Sequence, residues 1–467
     1  MSTYIVDLIY LFSAVLFILG IKGLTRPKTA VRGNLTSAVG MLIAVLVTLL
    51  DRSIISYEMI ALGMAIGAIV GAVMAIKVQM TAMPQMVALL NGFGGGASLG
   101  VVASQYLLAL EGTGFGPGAV GVIGVLFAMA TVLIGTVTLT GSFVAFAKLQ
   151  ELISGKPIGF AGMKFLNAGL FVAAVVLVLM LIGQPANTAL FWGLVAVAAV
   201  LGLTLVLPIG GADMPVVIAL LNSYSGVAAA AAGFVMQNTV LIVAGSLVGA
   251  SGLILTKIMC VAMNRSLTNV LFGVMGEGGE TMDADEVYEG KITSAQPDEI
   301  AMMLETAKRV VIVPGYGLAM SQAQHAVREL MDVLEARGTE VEFAIHPVAG
   351  RMPGHMNVLL AEAEVPYDKL IEMERINPTF EDTDVAIVIG ANDVTNPMAR
   401  EDKGSPIYGM PILHVDKARN VVVVKRSLSP GFAGLPNPLF AMDNTYMVFG
   451  DGKKAIIDMT AALDQAD

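Results

Sequence analysis

Cysteine occurs once in 467 residues, at Cys260, so no disulfide can close within the chain. Histidine occurs four times, at 325, 346, 355 and 414, and none lies in the first half. Charge is also scarce. Asp, Glu, Lys and Arg make up 14% of residues, against about 25% in soluble proteins. Hydrophobic residues reach 56% and mean hydropathy is +0.76. The scarcity is uneven. Residues 1–263 hold 10 Lys and Arg against 6 Asp and Glu, which leaves 17 and 31 for the remaining 204, a net of −14. An acidic second half excludes nucleic acid as an expected partner. No metal-ligating set is expected.

The apolar half reads as nine membrane spans, each needing about 20 mostly apolar residues. They are expected at Tyr4–Leu24, Leu35–Leu50, Tyr57–Ile76, Pro84–Leu110, Ala119–Thr140, Phe165–Gly183, Thr188–Leu207, Met214–Met236 and Thr239–Met263. The first lacks the cleavage pattern of a signal peptide and is kept as an anchor. Lys22, Arg26, Lys28 and Arg32 follow span one, and Lys77 follows span three. Lys148, Lys156 and Lys164 are assigned to the loop after span five, and Arg265 follows span nine. The opposite loops carry only Asp51, Arg52 and Glu111. The positive-inside rule then puts the N-terminus outside and the C-terminal domain in the cytoplasm. The expected location is the cytoplasmic (inner) membrane, in contact with lipid.

Glycines at spacings of four in spans three, four and nine (Gly63, Gly67, Gly71; Gly92, Gly96, Gly100; Gly245, Gly249) suit close helix packing. Polar side chains inside spans are costly and so more informative. Asn91 and Ser98, Asn222 and Ser225, and Ser246 and Ser251 are the cases here. They suit either a hydrated path or hydrogen bonds between helices. No His, Lys, Asp or Glu stands at mid-span depth, so the proton-carrying group is not visible.

Residues 264–305 read as a linker, with Gly276, Gly278 and Gly279 among six acidic residues, exposed and mobile. A helix from about Asp298 leads into the last domain, 306–467. There, short apolar runs alternate with helical stripes. The runs Val310–Val313, Val341–Ile345, Val385–Ile389, Ile412–Val415, Val421–Val424 and Tyr446–Phe449 give about six strands of a doubly wound, Rossmann-like parallel sheet. After the first comes Pro314-Gly315-Tyr316-Gly317, then an apolar stripe with helical period from Leu318 to Leu334. Strand, glycine turn and helix is the setting in which G-x-G holds a pyrophosphate. Met320 stands where a third small residue is usual, and a tight strand–helix connection would use the same glycines.

Ligands in such sheets sit at the carboxyl ends of the strands. Those ends carry His346-Pro-Val348-Ala349-Gly350-Arg351, Gly390-Ala391-Asn392-Asp393, and Lys425-Arg426-Ser427 followed by Gly431-Phe432-Ala433-Gly434. No carboxylate follows the second strand to take a ribose 2′-hydroxyl. Lys425, Arg426 and Ser427 suit a 2′-phosphate, favouring NADP(H) over NAD(H), although a solvated pair would look the same. Arg351 is a second candidate phosphate ligand. Asp393 is either an Asx turn or a carboxylate near the nicotinamide. Residues 431–434 could be a lid.

The segments Pro-Gly-Tyr-Gly-Leu-Ala-Met-Ser-Gln-Ala-Gln, His-Pro-Val-Ala-Gly-Arg-Met-Pro-Gly-His-Met-Asn, Gly-Ala-Asn-Asp-Val-Thr-Asn-Pro and Lys-Arg-Ser closely resemble the β-subunit family of proton-translocating NAD(P) transhydrogenases. The resemblance covers the whole chain. It implies that Gly315, Tyr316 and Gly317 lie at the pyrophosphate and that Lys425, Arg426 and Ser427 lie at the 2′-phosphate. It extends the cofactor set to Val348, Ala349, Gly350, Arg351, Gly390, Ala391, Asn392, Gly431, Phe432 and Ala433. Asp393 would couple the nicotinamide to a proton path comprising Asn91, Asp213, Asn222 and Ser251. Two departures stand out. Some members have histidine where Asn91 stands, and many have tyrosine where Phe432 stands.

The resemblance further implies NAD(H) on one or more separate α subunits, and a dimer of the hetero-oligomer. Hydride would pass directly between two nicotinamides, coupled to proton translocation. The competing reading is an ion or solute transporter whose Rossmann-like domain only senses nucleotide.

Overall fold

The computed structural model describes residues 3–24, 27–50, 57–110, 117–155, 157–160, 162–272, 287–288, 290–405, 407–431 and 433–465. Two compact units divide the chain. One is Met1–Ile209 with Val217–Thr256, the other Gly210–Val216 with Lys257–Asp467.

Among the described residues nine helices are long and apolar enough to cross a membrane. They are α1 (Thr3–Leu24), α2 (Pro27–Leu49), α3 (Tyr57–Lys77), α4 (Met83–Leu110), α5 (Pro117–Leu149), α6 (Met163–Gly183), α7 (Thr188–Val206), α8 (Met214–Val235) and α9 (Thr239–Ala262). Two differ from the sequence reading. Helix α2 starts two turns before Leu35, because Pro27 fits the first helical turn while the polar stretch after it lowers the hydropathy. Helix α5 runs nine residues past Thr140, since Val144, Ala145 and Leu149 continue a buried face. Lys148 is therefore not in a loop. It is 3% exposed, and its Nζ donates to the carbonyls of Leu207 at 2.6 Å and Ile209 at 2.7 Å.

The glycine spacings have local causes. A Cβ on Gly95 would stand 2.7 Å from the Gly135 carbonyl, and one on Gly135 would stand 2.7 Å from the Gly95 carbonyl, so α4 and α5 touch backbone to backbone. A Cβ on Gly252 would likewise stand 2.8 Å from Ser223 Cα. Gly63, Gly67 and Gly71 on α3 meet nothing within 4 Å.

In the second unit a seven-stranded parallel sheet has the order β1-β7-β6-β5-β2-β3-β4. The strands are β1 (Thr293–Ser294), β2 (Arg309–Pro314), β3 (Glu340–Ile345), β4 (Leu370–Glu372), β5 (Val385–Ile389), β6 (Asn420–Lys425) and β7 (Thr445–Phe449). Val310, Val311, Ile312 and Val313 are fully enclosed, because both faces of the sheet are covered, one by Val327, Leu330 and Ile456, the other by Phe380, Leu413 and Phe440. Two short strands, β1 and β4, were not expected. The run Ile412–Val415 forms no strand. The helical stripe after β2 is broken into Tyr316–Met320 and Gln324–Ala336, with Gln322 at φ +50° between them.

Residues 273–286, with most of the glycines and acids assigned to the linker, lie outside the described residues. The stretch after them packs onto the sheet. Tyr288 is buried, its hydroxyl accepting from the Asn437 amide at 2.9 Å, and β1 pairs with β7. The helix Pro297–Glu305 starts with a capping box between Gln296 and Glu299.

Candidate functional site

Strand β2 has β3 on one side and β5 on the other, so the connections leave in opposite directions there. This is where a parallel sheet opens a crevice at its carboxyl end. The turn after β2 and the turn after β5 cross in contact. The Gly315 amide donates to the Ile389 carbonyl and the Gly317 amide to the Gly390 carbonyl, both at 2.9 Å. A Cβ on Gly317 would lie 2.5 Å from Gly390 Cα, and one on Gly315 would overlap Gly390 and Ala391. Gly390 itself has φ +70°. The sequence reading gave Gly317 the task of admitting a pyrophosphate. Its missing side chain is required first by the crossing of these two turns.

A cleft of about 870 Å³ opens over the crossing, within the range of about 300–1,000 Å³ usual for ligand pockets. Its lining includes Gly315, Tyr316, Gly317, Val348, Ala349, Gly350, Gly390, Ala391, Asn392, Asp393, Lys425, Arg426, Ser427 and Gly431. Residues from four separate stretches thus share one wall. Arg351 is not in the lining. Its guanidinium stacks on the Tyr316 ring, 4.2 Å from the centroid, and so steadies a residue that is. Phe432 lies outside the described residues.

The loop after β3 is held by two enclosed histidines. His346 Nε2 donates to the Pro411 carbonyl at 2.8 Å, and its Nδ1 accepts the Val348 amide at 3.2 Å. His355 Nδ1 accepts the Arg351 amide at 3.1 Å, and Gly350, at φ +109°, leaves room for that ring. Burial lowers the pKa of both to about 4; Arg351 adds to the effect at His355. Each ring thus serves as a neutral brace for the backbone of this loop.

The loops after β5 and β6 are fastened together. Asp393 Oδ2 accepts the Ala433 amide at 3.0 Å, and Gly431 lies so close to the carboxylate that any Cβ would overlap it. Asn396 Nδ2 donates to the Pro436 carbonyl at 3.0 Å, and Asn437 Nδ2 to Asn392 Oδ1 at 3.1 Å. Asp393 therefore acts here as an anchor for Gly431 and Ala433. Lys425 donates to the Ser429 carbonyl. Burial lowers its pKa, Asp393 opposes that, and Arg426 reinforces it. Arg426 and Ser427 are exposed.

In the first unit Asn91 Nδ2 donates to the Ile218 carbonyl at 3.2 Å, and Ser225 Oγ donates to the Asn91 carbonyl at 2.7 Å. Asn91 thus ties α4 to α8. Asn222, one turn beyond Ile218, is half-buried, and its side chain makes no hydrogen bond among the described residues. Ser251 is exposed and donates to Val248 on its own helix at 3.0 Å. In the second unit Asp213, 3% exposed, pairs with Arg265 at 3.3 Å.

The cleft also includes Met410, Ser429 and the Gly450-Asp451-Gly452 turn. The last follows β7 directly, so inspecting that strand end would have found it. Met410 has no sequence signal.

The chain matches the family described as NAD(P) transhydrogenase beta subunit over residues 6–462. It is 50% identical over 457 residues to the NAD(P) transhydrogenase subunit beta of Rhodospirillum rubrum, covering 97% of this chain and 98% of that one. The same figures hold for the protein of that name from a defined strain of the species.

Proposed function

The chain belongs to the NAD(P) transhydrogenase beta subunit family, and from that premise we propose that residues 306–467 bind NADP(H), residues 1–263 carry protons across the inner membrane, and residues 264–305 join the two. The N-terminus lies outside and the nucleotide domain in the cytoplasm. NAD(H) is bound by a partner α subunit, and the assembly is a dimer of the hetero-oligomer.

One observation carries the reading. The turns after β2 and β5 and the cations after β6, far apart in sequence, line a single cleft. The turn around Gly315 and Gly317 would let a pyrophosphate come close to the backbone. Lys425, Arg426 and Ser427 offer two cations and a hydroxyl to a 2′-phosphate. Asp393 holds the Ala433 amide and lies against Gly431, and so helps to place Gly431 in the cleft lining. NADP(H), when bound, supplies the nicotinamide carbon that takes or gives the hydride. The protein's share is placement of that ring and exclusion of water, with no protein nucleophile needed. Asn222, whose amide has no hydrogen-bond partner among the described residues, contributes to a hydrated path, whereas Asn91 is committed to α8.

The test uses the chain with its partner subunit in sealed vesicles, stereospecifically deuterated NADH and NADP⁺. Deuterium is expected to reach NADPH without exchange with water, with a fixed ratio of protons moved per hydride. Asn222→Leu should stop proton movement and slow the overall reaction while sparing exchange between bound nucleotides. Deuterium lost to water would overturn direct transfer. A normal ratio at a normal rate would remove Asn222 from the path.

A further inference from the structure

In the run Ile412–Val415 the three apolar residues are buried, yet the run pairs with no strand. Its polar groups, and those just before it, go to separate elements. Asn264, two residues past α9 and at φ +49°, donates from Nδ2 to the Tyr408 carbonyl at 2.7 Å. Both residues belong to the second unit. Gly409 has φ +81°, and a Cβ there would stand 2.7 Å from Asn264 Nδ2, so the backbone is pressed directly against that amide. The Pro411 carbonyl accepts from His346, whose other nitrogen holds the cleft-lining Val348. The Ile412 carbonyl and the His414 amide both pair with Asn377, at 2.9 and 3.0 Å. The Leu413 amide donates to the Val394 carbonyl at 2.9 Å, next to Asp393.

We propose that residues 408–414 are a coupling strap, anchored at Asn264, through which a displacement at the end of α9 reaches both the 346–351 loop and the 390–396 loop of the cleft. The Tyr408 and Met410 amides close local turns onto Ser405 and Ile407, while the Gly409, Leu413 and His414 amides and the Tyr408, Pro411 and Ile412 carbonyls bond to other elements. A shift at one end is therefore passed to the attachments at the other, or one of these bonds breaks. Packing supports this: Leu413 is fully enclosed, so the strap cannot slide without moving its neighbours. Asn264 is a positioning residue here, since it touches no part of the cleft. The inference rests on the reading of the cleft as a nucleotide site and of α9 as part of the proton-carrying half.

Amide hydrogen exchange on the purified full chain tests it, comparing the natural protein with Asn264→Ala and Asn264→Asp. Each variant removes the donor to Tyr408, and the second keeps the side chain's size. The expected result is a rise of about two- to tenfold in exchange at 408–413, the scale of one hydrogen bond's net contribution. The same rise is expected in 346–351 and 390–396, and absent in β7 and the helix Gln324–Ala336. A rise confined to 408–410 would overturn the strap, as would none at all. If one variant fails to fold, the other decides. NADPH added to the natural protein tests the nucleotide reading separately. No protection at 390–396 would count against that reading and leave the strap result standing.

Discussion

His346 and His355 are enclosed, and each accepts a backbone amide through Nδ1. A protonated ring cannot accept. Burial is the main cause that brings both pKa values to about 4, below the unfolded value of about 6.5. The unfolded chain therefore binds more protons between these values. The stability each neutral ring contributes is complete above pH 6.5 and is lost as pH falls towards 4, up to about 3 kcal/mol apiece. Amide exchange at Val348 and Arg351, corrected for the intrinsic rate, should rise over that window and be flat from pH 7 to 8. A flat profile down to pH 4 would contradict the neutral assignment. Neither role was legible in the sequence, where His346 stood simply at a strand end. The ring's hydrogen-bond partners are the 411 carbonyl and the 348 amide, which only the fold brings together.

Elements were read well where one physical pattern was long enough to dominate. The nine spans and five of the expected strands are of this kind. Failures occur where partners outside the run decide. Ile412–Val415 has strand composition, but its backbone bonds go to Asn377 and Val394. β1 and β4 have two and three residues, too short for any period. Lys148 is expected in the loop after span five, yet it lies inside α5 and caps the end of α7 with two short bonds, where a cation also suits the helix dipole. Lys148→Met should destabilise the detergent-solubilised protein by about 1–3 kcal/mol, because two buried carbonyls lose their donor. Lys148→Arg should restore part of this. Thermal aggregation temperature is the measurement, and an unchanged value for Lys148→Met would show the contacts to be idle.

At the scale of the whole molecule, composition separates an apolar half from an acidic one, and each has its own chemistry. The candidate site was largely legible because parallel sheets present ligands at strand ends, a rule that needs only the strands in order. Less visible were the bonds that fasten one strand-end loop to another, such as Asp393 to Ala433, and the backbone crossing that requires glycine at 315, 317 and 390. The central claim is that the cleft selects NADP(H) through the cations after β6. Calorimetric titration of the full chain with NADPH and with NADH, for the natural protein and for Lys425→Ala with Arg426→Ala, tests it most directly. The double variant should weaken NADPH binding by at least about tenfold, because charge-assisted bonds are worth about 1.5–3 kcal/mol each. NADH binding should change little. Equal losses for both nucleotides, or no loss for NADPH, would contradict the assignment of Lys425 and Arg426 to the 2′-phosphate.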